Sequence, residues 1–217
     1  MKLCYTFWVV AISVLLPTCV AQAQISFSSV LVSGSADGAE SFSVDTFTST
    51  LESSSSTGTG LSYTRAFARA SAELIENQLL IETFTASESF LSPPPFLSAE
   101  SSVEVIFHLD STYSVFFSHS DTAFPVNGTA ETSFSRVDND EAFDISATPQ
   151  PNEFVIGPGT YLITSSTDGF VDELFPSPAF SGTSVSVSFV AVPEPSSVAL
   201  LVLSSAAIAA MRRRIAA

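Results

Sequence analysis

The chain has 217 residues, 46% of them apolar, with seven lysines and arginines against 22 carboxylates and a net charge of −15. That balance repels phosphate backbones and anionic lipid heads, which excludes nucleic acid as a partner. Both cysteines, Cys4 and Cys19, and the single tryptophan, Trp8, fall within the first 23 residues, so everything after them must hold together by burial, without disulfides.

Residues 1–23 carry Lys2, an apolar run from Phe7 to Leu16, and then Ala21-Gln22-Ala23. This is the order of a secretory signal peptide cleaved before Gln24, with Ala21 and Ala23 as the small cleavage residues. The apolar run is well short of the roughly 20 residues a spanning helix needs. Cys19 as a lipidated N-terminus is disfavoured, because Leu16-Pro17-Thr18 precedes it where small residues ending in Gly or Ala are wanted.

From Gln24 to Ala191 the dominant period is two. The run SFSVDTF (41–47) sets Phe42 and Val44 against Ser41, Ser43 and Asp45, while SVEVIFHL (102–109), YSVFFSH (113–119) and GTSVSVSFVAV (182–192) repeat the theme. Such alternation predicts half-buried antiparallel strands. The expected punctuation is Asp37-Gly38, Glu76-Asn77, Pro93 to Pro95, Asn127-Gly128, Pro149 to Asn152, Gly157-Pro158-Gly159 and Asp168-Gly169. The serine run from Ser53 to Gly60 reads as a flexible loop. YTRAFARASAELIENQLL (63–80) fits helical spacing, yet it also fits a hairpin of Ser62 to Ile75 and Gln78 to Ser87 turning at Glu76-Asn77. The hairpin agrees with its strand-like neighbours. Asn127-Gly128-Thr129 matches a glycosylation sequon, but Asn-Gly is already accounted for as a turn.

Residues 192–217 have three parts in order: Val192-Pro193-Glu194-Pro195, an uncharged stretch of 196–211, and Arg212-Arg213-Arg214. The stretch suits a short membrane helix of about 24 Å at 1.5 Å per residue. Basic residues beside such a helix stay on the cytoplasmic side, which puts the bulk of the chain outside. This tail resembles the PEP-CTERM sorting segment of exported bacterial proteins. The resemblance implies that a membrane enzyme, an exosortase, recognises and removes the tail, leaving the protein at the cell surface or outside it. It covers only the tail and implies nothing about the 24–191 domain. The stretch FVIGPGTYLITSSTDG (154–169) resembles a penultimate hairpin found ahead of such tails, with Phe154, Ile156, Tyr161 and Ile163 entering the core. The expected fold of 24–191 is therefore an all-β, jelly-roll-like antiparallel β-sandwich.

Within 24–191 three arginines, Arg65, Arg69 and Arg136, stand against 21 carboxylates, a net −18. His108 and His119 are the only histidines, and no nucleophile, metal or phosphate-loop motif includes them. The expectation is that the protein is not an enzyme and has no cofactor. Asp138, Asp140, Glu141 and Asp144 cluster as calcium candidates, though they lack the glycine and distal glutamate of a calcium loop. A solvated acidic turn is favoured. Carbohydrate binding would call on exposed aromatics, with Tyr63, Tyr113 and Tyr161 as candidates. Ice binding would need ranks of threonine, of which Thr46-x-Thr48-x-Thr50 and Thr83-x-Thr85 are fragments. The favoured reading is a non-catalytic surface or matrix component, with an exopolysaccharide as the macromolecular partner beside the exosortase.

Overall fold

The computed structural model describes residues 24–37, 41–59, 62–91, 94–124, 127–146, 151–174, 177–193 and 205. The expected leader with Ala21 and Ala23, Glu194 and Pro195, the expected helix 196–211 (Ser205 aside) and Arg212 to Arg214 lie outside these residues.

Among the described residues the chain forms β1 (Ile25–Ala36), β2 (Phe42–Val44), β3 (Thr48–Thr59), β4 (Ser62–Ile75), β5 (Gln78–Ser89), β6 (Leu97–Leu109), β7 (Tyr113–Phe124), β8 (Gly128–Arg136), β9 (Glu141–Ala142), β10 (Asn152–Ile156), β11 (Gly159–Val171) and β12 (Ala179–Ala191). They make two six-stranded antiparallel sheets. The first has the order β2-β1-β6-β11-β8-β9 and the second β10-β7-β12-β5-β4-β3. From β5 onward the chain passes from one sheet to the other at nearly every connection, and the late strands slot between earlier ones. The two sheets bury one face each against the other, as period-two alternation requires.

The hairpin reading of 63–80 is the one adopted: β4 and β5 meet at Ile75↔Gln78. Glu76 takes a positive φ of 54° there, the conformation a tight two-residue turn demands of its first central position. Two expectations are corrected. The serine run 53–60 is no free loop, because Ser53 to Thr59 continue β3 and pair with β4. Asp168-Gly169 does not turn the chain, since both residues lie inside β11. Gly169 is there for closeness: a Cβ on it would lie 3.3 Å from the Ala179 Cβ on the facing sheet.

The strand registers give the sandwich two ends. Ile25 pairs with Leu109, Gly159 also pairs with Leu109, and Tyr113 pairs with Ala191. The described chain therefore enters and leaves at one end, called here the near end. Gln24 N donates to Asp110 Oδ1 (2.9 Å) and Val192 N to Thr112 O (2.9 Å) in that same region.

The core differs between the ends. Near the entry it is aromatic and aliphatic, with Phe107, Phe117, Phe134, Tyr161 and Phe189 packed among Leu79, Ile81 and Val105. In the far half the inward positions are mostly small or hydroxylated, Leu97 and Val171 being the large exceptions. Ala36, Ala66, Ala68 and Ala99 form a second cluster, and Thr83, Thr85, Ser87, Ser101, Ser165, Thr167, Ser181 and Thr183 are buried. Their hydroxyls bond within each sheet, Thr83 to Thr183 (2.7 Å) and Ser101 to Thr167 (2.9 Å), and between the sheets, Ser165 to Thr183, while Ser87 donates to Gly169 O (3.0 Å). Short side chains let the sheets approach, and mutual hydrogen bonds offset the desolvation of the hydroxyls.

Candidate functional site

Where the far half is polar inside, it is aromatic outside. In RAFARA (65–70) the alanines at 66, 68 and 70 are fully buried, so Arg65, Phe67 and Arg69 share the opposite, outer face of β4. In β5 the buried Thr83, Thr85 and Ser87 leave Glu82, Phe84, Ala86 and Glu88 outside. In β12 the buried Ser181 and Thr183 leave Phe180 outside. Register then assembles a row across four strands: Phe67 opposite Ala86, Ala86 opposite Phe180, and Phe180 opposite Phe124.

Phe84 lies beside this row, 6.0 Å from Phe67 between ring centroids, and next to Gly182, which has no side chain to lift it off the sheet. Phe124 is 66% and Phe180 39% exposed. The other two exposed phenylalanines among the described residues, Phe90 and Phe96, also sit at the far end, Phe90 against Tyr63 (4.9 Å) and Phe96 against Phe170 (6.3 Å).

Charge borders the row. The Arg65 guanidinium sits 5.9 Å from the Phe67 ring centroid, within cation–π range. Arg69 meets Glu82 at 3.7 Å, both side chains being substantially exposed. Glu52 and Glu88 stand opposite Arg69 and Arg65 in the strand registers. Two of the three arginines of 24–191 thus flank one phenylalanine. A flat apolar surface edged by guanidinium and carboxylate groups suits a partner with an apolar face and hydrogen-bonding rims.

The outer face of the first sheet is of another kind. A groove of about 490 Å³ there is lined by serine and threonine hydroxyls together with Glu100 and Asp168, which stand directly opposite each other on β6 and β11. Its Ser33 and Ser102 hydroxyls bond to one another at 2.9 Å.

The residues singled out from sequence are scattered. Asp138 accepts from Thr160 N (3.1 Å) and Arg136 Nε (3.4 Å), and these bonds, the backbone one first, hold its carboxyl below the usual carboxylate range. Asp144 accepts from the hydroxyl (2.7 Å) and amide (3.0 Å) of Ser146, with the same effect. Glu141 is engaged by Asn139 (3.3 Å), and Asp140 occupies a turn position with φ 54°. Among the described residues no three such groups converge as a metal site.

His108 and His119 lie on opposite sheets. His108 is exposed, its Nδ1 3.4 Å from Thr160 Oγ1. His119 Nε2 is 3.9 Å from Asp121, whose other oxygen accepts from Thr132 Oγ1 (2.7 Å). That threonine hydroxyl donates to the carboxylate.

Tyr113 and Tyr161 are buried, and burial pushes both phenols up. Of the three candidate tyrosines only Tyr63 borders the aromatic surface. Thr83 and Thr85 face the interior, which removes them from any ice-contacting rank. Asn127 is buried, its amide nitrogen donating to Phe170 O and to Ser177 O (3.2 Å), so its side chain is sealed in the turn. Of the sorting residues, Val192 is tied to Thr112 and Pro193 is exposed.

The aromatic row went unread in the sequence, although a signal for it exists. Phe67 shares its parity with two arginines and Phe84 with two glutamates, and a parity that holds several charges is the outer one.

A family profile described as the PEP-CTERM protein-sorting motif matches residues 191–214. The chain therefore carries this sorting motif and is an exported, exosortase-sorted protein. No curated protein and no solved structure matches the chain.

Proposed function

We propose that the 24–191 domain is a non-catalytic cell-surface or extracellular-matrix component that works by contact through the outer aromatic row of β4, β5, β12 and β7. On this reading the leader exports the chain, and the helix 196–211 holds it in the membrane with Arg212 to Arg214 inside. Cleavage by the exosortase then leaves the domain at the surface or free outside. The late strands slotting between earlier ones, β11 between β6 and β8 and β12 between β5 and β7, support a jelly-roll-like sandwich. The observation that carries the reading is polarity: the exposed phenylalanines gather at the end opposite Gln24 and Val192, where a tethered domain meets its surroundings.

The same row favours a second reading, a carbohydrate-binding module with an exopolysaccharide as partner. Phenyl faces stack on the C–H faces of sugar rings, and the arginine and glutamate pairs at the edge can bond hydroxyls. A glycan array with and without calcium, probed with the protein and with Phe124→Ala and Phe180→Ala, tests both. Retention lost on either substitution and indifferent to calcium supports the carbohydrate reading. Binding that needs calcium but ignores both phenylalanines moves the site to the Asp138–Asp144 turn. No glycan bound at all leaves the contact role to a protein or to the matrix.

A further inference from the structure

The domain begins against a carboxylate. Gln24 N lies 2.9 Å from Asp110 Oδ1, at the turn between β6 and β7, and the next residue, Ile25, pairs with Leu109. The same turn holds the other end of the domain, where Val192 N donates to Thr112 O (2.9 Å). In the unprocessed chain Gln24 N is an amide, which brings one hydrogen and no charge to Asp110. Cleavage before Gln24 turns that nitrogen into an α-amino group, which is an ammonium at neutral pH and ordinarily titrates at about 7.7–8.0.

We infer, resting on the reading that the leader is cut before Gln24, that its removal creates an ion pair: the new α-ammonium binds the Asp110 carboxylate and fastens the start of β1 to the β6–β7 turn. The 2.9 Å separation is already that of a charge-assisted hydrogen bond, so Asp110 need not move. Asp110 Oδ1 also accepts from the Ser111 hydroxyl (3.0 Å), which steadies it.

The surroundings favour a cation. Glu76 of the β4–β5 turn lines a recess together with Gln24 and with Tyr113 of β7, and β12 adds only Phe189 and Ala191 to it. On β6 the nearest titratable group is His108, opposite Ser26. Arg136 is engaged elsewhere, by Asp138 (3.4 Å) and Pro158 O (2.8 Å). A carboxylate at this range favours the charged amine and raises its pKa. The stabilisation is then fully present below the unfolded value of about 7.7–8.0 and is lost as pH rises through the higher folded one.

Lys2 is the only lysine, so after cleavage the Gln24 α-amine is the single primary amine of the protein, and an amine reagent reads it alone. Protein recovered from its exporting cells should show a free Gln24 by intact mass and N-terminal sequencing. Its labelling rate with an amine-reactive ester should follow a pH profile with a midpoint above about 7.7–8.0. Asp110→Asn, which keeps the shape of the side chain, should return the midpoint to that range and speed labelling several-fold at neutral pH. Acetylation removes the charge and leaves an N–H in place. It should lower the melting temperature of the parent protein at neutral pH and leave that of Asp110→Asn unchanged, which separates the ion pair from a plain hydrogen bond. A midpoint in the ordinary range, or one that Asp110→Asn does not move, overturns the inference while the leader reading stands. So does a Gln24 that has closed on its own side-chain amide with loss of ammonia, since that ring carries no ammonium. A chain that begins at another residue overturns both.

Discussion

The two ends of this sandwich solve the same packing problem in opposite ways. At the near end Phe134 stacks on Phe117 (5.5 Å), Phe143 (4.5 Å) and Phe107 (6.4 Å), with Tyr161 at 6.0 Å, all between the sheets. At the far end the interior is mostly alanine and hydroxyl, with Leu97 and Val171 at its rim, and Phe67, Phe84, Phe124 and Phe180 lie on the outside of the second sheet. A phenylalanine in the first place stabilises the fold. In the second place it contributes far less stability, which suits it to contact.

The largest effect should come from the near end. Phe134→Ala removes a ring with aromatic neighbours on every side and should cost about 3–5 kcal/mol, read from urea unfolding midpoints. By contrast, Phe180→Ala or Phe124→Ala, at a comparable chemical cost, should change stability by roughly 1 kcal/mol or less. Equal losses at the two ends would break the contrast.

The polar interior of the far half gives the next effect, and its sign depends on the residue. Thr183 Oγ1 bonds both Thr83 and Ser165, so Thr183→Val leaves two buried hydroxyls short of a partner and should cost about 1–3 kcal/mol. Thr85 Oγ1 is buried and has no hydrogen-bond partner among the described residues. Thr85→Val keeps the shape and removes only that unpaired group, so it should be neutral or stabilising by about 1 kcal/mol. Thermal melts of the two variants side by side read the difference. Two losses of similar size would mean that hydroxyl burial in itself, and not its pairing, sets stability there.

Much of this was legible because alternation is a strong signal. The near-end strands announce themselves through Val185, Val187 and Phe189, or Val103, Val105 and Phe107, whose partners at the other parity are mostly polar. In the far half the usual cue misleads, since Phe84 sits between Thr83 and Thr85 and hydropathy alone would bury the ring. The charges at Glu82 and Glu88 decide the face, and they do so only once Phe84 is known to lie on one uninterrupted strand. Gly169 misled for a related reason: Asp-Gly is a turn signal, yet here the missing side chain serves the close approach of two sheets. The hydroxyl pairing of Thr83 with Thr183, opposed on neighbouring strands of one sheet but 100 residues apart in the chain, has no local trace at all.

The smallest expected effect belongs to the acidic turn after β8, and it sharpens the contrast by confining pH sensitivity to the near end. Asp138 binds the Thr160 amide and Arg136, and Asp144 binds Ser146; both carboxyls sit below their ordinary range in the folded chain. A carboxyl depressed on folding contributes stability above its unfolded value of about 3.9, and loses it as pH falls through that value towards the folded one. Acid also relieves the general repulsion among 21 carboxylates, which acts in the opposite direction, so the raw melting curve mixes two trends. Subtracting an Asp138→Asn variant isolates the turn. The stability advantage of the unsubstituted chain should be present at pH 7 and shrink on going down to pH 3, small throughout because the groups are exposed and screened by salt. Hydrogen exchange should place the acid-induced loosening at the β8–β11 pairing near Tyr161 and Arg136, with the amides around Thr167 and Thr183 unaffected. Loosening that begins at the far end instead would show that the hydroxyl core, and not the carboxylate turn, is where the sandwich first yields to acid.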